Sequence, residues 1–259
     1  MKIVCISENT SQKEGLCAEH GLSLYIETKK RKILFDMGQS DAFYENAKKL
    51  GVQLEDVDIA VISHGHYDHG GGLSRFLQIN ESAPVYISRH AFGEYYNGCE
   101  KYIGLDYSLK ENERLVFTSD SLQICDDMHL YSYNESELPN YMGSFGLNKL
   151  SHGEFIPDDF LHEQYLLIEE DGKRVLISGC SHKGVVDIAS QTPIDVFIGG
   201  FHFSKIEDTD LLDKALEKLL IHNTVYYTCH CTGVKQYEYM HRKSERINYI
   251  SCGDTVIIQ

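Results

Sequence analysis

Two stretches of this chain repeat one grammar, and the repeat limits the folds open to it. SLYIE and ILFDMG flank the basic turn TKKRK, and the apolar run VDIAVIS follows them. Far downstream, YLLIEEDGKRVLISGC repeats the hairpin around EDGK, and DVFIGGFHF repeats the buried run. KILFDMG lines up with RVLISGC, and DIAVISH lines up with DVFIGGFH. Apolar β-rich runs around short polar turns predict hairpins, and nearly unbroken apolar runs predict strands covered on both faces. A first strand is predicted over Ile3 to Ser7, a helix from a cap at Ser40 and Asp41 through Leu50 with Gly51 ending it, and a leucine-rich helix over Leu211 to Ile221. TVYYTCH then predicts one more strand. The fold class this implies is α/β, a four-layer αββα sandwich of two mixed sheets with helices outside, made by duplication. No Pro/Gly/Ser linker divides the chain and only four prolines occur, so residues 1–259 are expected to form a single domain. A Tyr-rich insertion is expected at about 89–163. Its Tyr95, Tyr96, Tyr102, Tyr107, Tyr131, Tyr133 and Tyr141 are expected mostly to pack, with pocket lining as the alternative.

The repeat has a chemical consequence. His64, His202 and His230 each follow a predicted strand, and α/β sheets place ligands at carboxyl ends of strands. The first of these ends is VISHGHYDHGGGL, which holds three histidines and an aspartate within six positions. Alternate side chains of an extended backbone point the same way, so His64 and His66 can approach one ion together, with Asp68 and His69 beyond them. Gly65 and the run Gly70, Gly71 and Gly72 allow tight backbone and a close helix start. Imidazole with carboxylate suits zinc, iron or manganese, and the scarcity of clustered carboxylates argues against calcium. A site of two metals about 3.5–4 Å apart needs more ligands than one loop supplies. The other strand-end histidines answer that need.

Composition narrows the partners. Lys plus Arg number 24 against 39 Asp plus Glu, a formal charge of −15, which opposes a long footprint for nucleic acid or anionic lipid. No apolar run approaches the roughly 20 residues that span a bilayer, and MKIVCISENTSQKEG lacks a signal-type apolar core. The expectations are a cytoplasmic protein, a small-molecule substrate, no nucleic acid and no membrane, with the oligomeric state open. Eight cysteines in so long a chain predict reduced thiols rather than a disulfide framework. Cys5, Cys17, Cys99, Cys125 and Cys252 are expected to be small buried residues. Cys180, Cys229 and Cys231 lie within two residues of a histidine and stay open.

His64-Gly65-His66-Tyr67-Asp68-His69 resembles the H-x-H-x-D-H signature of the metallo-β-lactamase superfamily of metal-dependent hydrolases. The likeness runs through ILFDMG, VLISGCSHKG, IGGFHF and YTCHCTG, and these later strings resemble the branch containing the 7,8-dihydropterin-6-methyl-4-(β-D-ribofuranosyl)aminobenzene 5′-phosphate synthases. The resemblance implies the metallo-β-lactamase fold and two divalent metal ions, zinc first, with iron or manganese as alternatives. It implies that His64 and His66 bind the first ion, that Asp68, His69 and His230 bind the second, and that Asp36 supports the loop through hydrogen bonds.

Two departures follow. The family's Gly-His-Thr motif before the second hairpin is absent; His152 and His162 are the nearest histidines, and His182 in GCSH is preferred over His162 for the vacant place on the first metal. Cys180 stands where many members carry an aspartate shared by both metals, so a thiolate ligand and an inert buried cysteine both remain open. The activity implied is that of a metal-dependent hydrolase, in which a metal-bound hydroxide attacks a small anionic or phosphorylated substrate. Asp68 would align the water, and His202 would contact a substrate oxygen or protonate the leaving group. A non-catalytic metal or metabolite sensor and a di-iron redox protein of the same fold are the alternatives. A processing nuclease would add an RNA-holding arm and a basic surface, and neither is visible.

Overall fold

Alternate residues of the repeated strands face different apolar layers. A computed structural model describes residues 1–259. Its first sheet orders Thr255–Ile257, Lys2–Ser7, Ser23–Glu27, Lys32–Phe35, Ile59–Val61, Val85–Ser88 and Leu115–Thr118. The second orders Ser121–Cys125, Met128–Tyr131, Tyr165–Glu170, Lys173–Ile177, Val196–Ile198, Val225–Thr228 and Ile247–Tyr249. Read in that direction, each sheet has three antiparallel pairings followed by three parallel ones. The aligned segments Lys32–Phe35 and Lys173–Ile177 hold the same place in their sheets, as do Ile59–Val61 and Val196–Ile198.

Ile33, Phe35, Ile59 and Val61 point toward Val175, Ile177, Val196 and Ile198 and form the core between the sheets. Leu34 and Ala60 point the other way, toward Phe43 and Ala47 of helix Ala42–Lys49 and Leu73 and Phe76 of helix Leu73–Ile79. Leu176 and Phe197 likewise meet Val185 and Ile188 of helix Val185–Ser190 and Leu212, Leu216 and Leu219 of helix Thr209–Leu219. Three apolar layers thus separate four structural ones, the αββα sandwich expected from the repeat. Each fully buried Leu, Ile or Phe contributes about 1.5–3 kcal/mol, so these layers fix the strand ends that carry the polar residues.

Both helices form within two residues of their signals, the second ending at Leu219 rather than Ile221. Helix Ala42–Lys49 ends at Leu50, and Gly51 takes φ +72°, but Asp41 at its start makes no side-chain cap; Ser40 Oγ accepts from the Ala42 N–H at 3.1 Å instead. The leucine-rich helix starts two residues earlier than Leu211, where Asp208 accepts from the Asp210 N–H.

Residues 89–163 divide between two architectures. Leu115–Thr118 extends the first sheet, and Ser121–Cys125 with Met128–Tyr131 extends the second. A separate sheet, Glu154–Pro157, Leu147–Ser151, Tyr95–Asn97 and Lys101–Tyr102, lies beside the rim. Tyr95 is buried against His162 at 4.0 Å, and Tyr131, Tyr133 and Tyr165 stack in succession. All eight cysteines are unpaired thiols. The expectation of burial fails for Cys17 and Cys99, which are exposed in loops, and Cys125 is half-buried, packing on the fringe of the core from an edge strand. No helix is long and apolar enough to cross a membrane.

Candidate metal centre

The carboxyl ends of both sheets' parallel strands meet at one rim, and left-handed residues turn the chain there. Asp36, Ser181, His202 and His230 all have positive φ without being glycine, at 60°, 58°, 57° and 49°. Such residues are uncommon, and their clustering marks a rim shaped for something other than chain economy.

The loop after Ile59–Val61 is organised by one carboxylate. Asp36, fully buried, accepts the Ser63 N–H at 2.7 Å, the Ser63 hydroxyl at 2.7 Å and His69 Nδ1–H at 2.6 Å. With its proton given to Asp36, Ser63 Oγ accepts from His64 Nδ1–H at 2.8 Å. His64 therefore presents a bare Nε2 inward, and His69 turns its Nε2 the same way. Behind them the short helix Tyr67–Gly70 leads into the glycine run. A Cβ at Gly72 would stand 2.3 Å from the Met37 carbonyl oxygen and 2.4 Å from the Phe43 ring, so only glycine lets the loop close against the strand end that carries Asp36.

The second half delivers single residues, each held by a buried glutamate. Glu163 accepts the His182 N–H at 2.8 Å, and Glu8 accepts the His230 N–H at 2.6 Å and the Tyr249 hydroxyl at 2.6 Å. His230 Nδ1–H donates to Asn9 Oδ1 at 2.7 Å, leaving its Nε2 bare as well. The result is two facing sets. His64 Nε2 stands 3.4 Å from His182 Nε2, and the donor atoms of His64, His66 and His182 all lie within 4.8 Å of one another. His69 Nε2 stands 3.2 Å from His230 Nε2, with Asp68 Oδ2 3.4 Å from His230 Nε2 and 3.9 Å from His69 Nε2. Cys180 Sγ, 3.2 Å from His69 Nε2, belongs to donor groups with His64 and His69 and also with His182 and His202.

These residues fit a metal ion. His69 and His230 turn Nε2 toward each other while an oxygen acceptor holds each Nδ1, and the donor atoms of His64, His66 and His182 crowd together with no acid among them. A cation bound by these nitrogens would replace the proton they now share. Burial and the neighbouring rings hold His64 and His182 well below the usual histidine range, so both are neutral donors at pH 7. Burial opposes the charge of Asp68, but His69, His20 and His230 hold its carboxyl well below the usual range. Burial also works against charge on His69, yet Asp36 and Asp68 raise it to about 9. A proton thus occupies its Nε2 until a cation displaces it.

The ligand and acid candidates of the sequence reach this rim, while Cys229 lies in the core between the sheets and His152 in an exposed turn. His64, His66, Asp68, His69, Cys180, His182 and His230 converge, and His202 stands 4.3 Å from His182, ring to ring, with a buried, unpartnered Nδ1. His162, the rival of His182, supports the loop instead. Its Nδ1 accepts the Gly65 N–H at 2.9 Å and its Nε2–H donates to Asp158 at 3.1 Å, so both nitrogens are spent supporting the loop from behind. Burial lowers its pKa to about 4 despite Asp158.

Sequence reading missed Glu8, Asn9, Asp158, Glu163 and His20, whose Nε2 lies 3.1 Å from Asp68 Oδ2. The first two carried a signal: SEN follows an apolar strand just as SH does at His64. A pocket of about 310 Å³ opens over the centre, and Asn97, Lys101, Ile103 and Leu147 of the small sheet, with Ser204 and Lys205, form its outer wall. None of the seven tyrosines of 89–163 lines it. A larger hollow beside helix Val234–His241 holds no candidate ligand.

A family model described as the metallo-β-lactamase superfamily matches residues 18–219. An uncharacterized protein of Methanocaldococcus jannaschii is 29% identical over 242 residues, covering 90% of this chain and 91% of that one. A second protein of that organism, named 7,8-dihydropterin-6-methyl-4-(β-D-ribofuranosyl)-aminobenzene-5′-phosphate synthase, is 28% identical over 262 residues, covering 91% of this chain and 88% of that one. The crystal structure of Tm1679, described as a metal-dependent hydrolase of the β-lactamase superfamily, superposes with a TM-score of 0.84 at 29% identity, covering 100% of this chain and 99% of that one. Zinc-bound PqqB from Methylobacterium extorquens shares the fold at a TM-score of 0.60 and 14% identity, covering 100% of both chains.

Proposed function

This chain belongs to the metallo-β-lactamase superfamily, and from that premise we propose that it is a metal-dependent hydrolase acting on a small anionic, phosphorylated substrate. The observation that carries the reading is the pair of facing imidazole sets, with Nε2 atoms 3.2 and 3.4 Å apart. His64, His66 and His182 would hold one divalent ion and Asp68, His69 and His230 the other, with Cys180 between them. Nitrogen, sulfur and carboxylate donors together suit zinc first, then iron or manganese. Ions bound there supply Lewis-acid polarisation of the scissile group and an activated water.

The chain's own residues do the rest. Asp68, tethered to His20, orients the attacking water from the solvent side of the second set. The His202 ring lines the pocket and is placed to protonate the leaving group. Lys101 and Lys205, the lysines of the pocket wall, give an otherwise acidic protein a local anion-attracting mouth. The net charge of −15 favours a small-molecule partner over nucleic acid or an anionic membrane surface. Eight unpaired thiols suit a reducing, cytoplasmic setting. Group transfer onto a phosphorylated acceptor is the second reading, favoured by the relative named as a synthase.

The test is elemental analysis joined to a panel of phosphoesters and carboxylic esters, with and without candidate acceptors. Two ions per chain and turnover in the parent are expected, with loss of both in Asp68→Ala, His230→Ala and His182→Ala. His162→Gln is expected to keep its ions. Full metal content and activity in the first three variants would sink the proposal, and ligand binding with no turnover anywhere would point to a sensor.

A further inference from the structure

Three of the five buried thiols, Cys180, Cys231 and Cys252, stand outside the apolar clusters, and two of these line the pocket. Cys5 and Cys229 sit in the core between the sheets, surrounded by Ile3, Leu24, Ile198 and their neighbours. Cys180 and Cys231 are as well buried, at 3% and 7% exposure, yet join none of the apolar clusters and instead line the pocket over the rim. Their sulfurs and a ring nitrogen of His230 all lie within 4.8 Å of one another. Cys231 Sγ donates to the Cys180 carbonyl oxygen at 3.4 Å and lies beside the Cys180 and His202 side chains. The chain makes room for that sulfur at a specific point, since a Cβ on Gly200 would stand 2.3 Å from it.

We infer that Cys231 is a second thiol donor at this centre and that, with Cys180 and His230, it forms a sulfur-bearing cation position. The inference rests on the metal-centre reading above. Cys180 Sγ also touches His69 Nε2 at 3.2 Å, so the sulfur pair is continuous with the Asp68–His69–His230 set rather than a separate site. Thiolate donors favour zinc, cadmium and iron(II) over magnesium or manganese. Each thiol releases its proton to solvent when it ligates, so no oxidant or reductant is required. The centre is therefore unequal: an all-imidazole position beside one that selects a thiophilic ion.

The experiment uses the full chain, freed of metal by a chelator and titrated with cadmium(II). Bound cadmium is measured by equilibrium dialysis and thiolate ligation by the ultraviolet sulfur-to-cadmium charge-transfer band. The parent should show about twice the band per bound cadmium of Cys231→Ser or Cys180→Ser, two thiolates against one, and the double variant none. Cys125→Ser, on an edge strand far from the rim, should leave the band unchanged. As a check independent of variant folding, zinc should protect both Cys180 and Cys231 of the parent from alkylation, read by peptide mass spectrometry, while magnesium protects neither. Cys231→Ser keeping the full band, or Cys231 alkylating equally with and without zinc, overturns this inference alone. No bound cadmium in the folded parent overturns the metal centre with it.

Discussion

The two halves of the sandwich are alike where they are apolar and unlike where they are polar. Both sheets pass through the same succession of antiparallel and parallel pairings. Even a detail of strand entry recurs: Asp58 accepts the Lys32 N–H and Asp195 accepts the Arg174 N–H, each at 2.8 Å. At the opposite ends of the same strands the symmetry stops. Asp36 in the first half corresponds to Ser178 in the second, and Ser178 reaches only the Ser181 hydroxyl, at 2.8 Å. With its own carboxylate, the first half orders four donors on one loop. Lacking one, the second half sends His182 and His230 from separate loops and relies on Glu163 and Glu8 to fix them. Duplicated packing thus tolerates divergence at the rim because the apolar layers, not the strand ends, hold the sheets together.

The contrast breaks first, if it breaks, at Asp36. Asp36→Ala strands the Ser63 N–H, the Ser63 hydroxyl and His69 Nδ1–H, and removing one partner of a buried pair costs about 3–5 kcal/mol. Ser178→Ala should cost about 1 kcal/mol. Urea unfolding of the metal-free protein measures both, and equal costs would mean that the halves are organised alike. Metal affinity should fall about 100-fold in Asp36→Ala and little in Ser178→Ala.

The next largest effects separate the borrowed glutamates. Glu163→Gln and Glu8→Gln should each weaken one ion about tenfold, the first through His182 and the second through His230. Two-site fits to calorimetric zinc titrations resolve which ion is affected. If both substitutions weakened the same site, the division into two sets would be wrong. The smallest effect tests the symmetry itself: Asp58→Ala and Asp195→Ala should lower stability by about 1 kcal/mol each, by matching amounts, with metal content untouched.

Legibility in the sequence follows the same division. Strand order and layering could be read from KILFDMG and RVLISGC because apolar alternation is a local signal, repeated in register. The His64 to His69 loop could be read because all four donors sit on contiguous chain after a strand. His182 was separable from His162 only by its position after a buried strand, since a ring's hydrogen-bond partners leave no mark in a one-dimensional string. Glu163 was illegible for a related reason, and Glu8 and Asn9 were marked only by their place after a strand. Each acts across more than ten residues of chain on a backbone or ring N–H, and in sequence each resembles an ordinary solvated polar residue. The small sheet of 95–157 escaped as well, because its strands are short and one of them, Glu154–Pro157, is exposed throughout.

One pairing in the first sheet bears on how the molecule is made. Six of that sheet's seven strands come from residues 2–118, but its outermost strand is Thr255–Ile257, paired to Lys2–Ser7. During synthesis Lys2–Ser7 keeps an open edge until residues 255–257 have been made and can pair with it, and the Glu8–His230 clasp forms nearly as late. A sheet completed across so long a stretch of chain leaves an unpaired strand exposed to its neighbours for most of that interval.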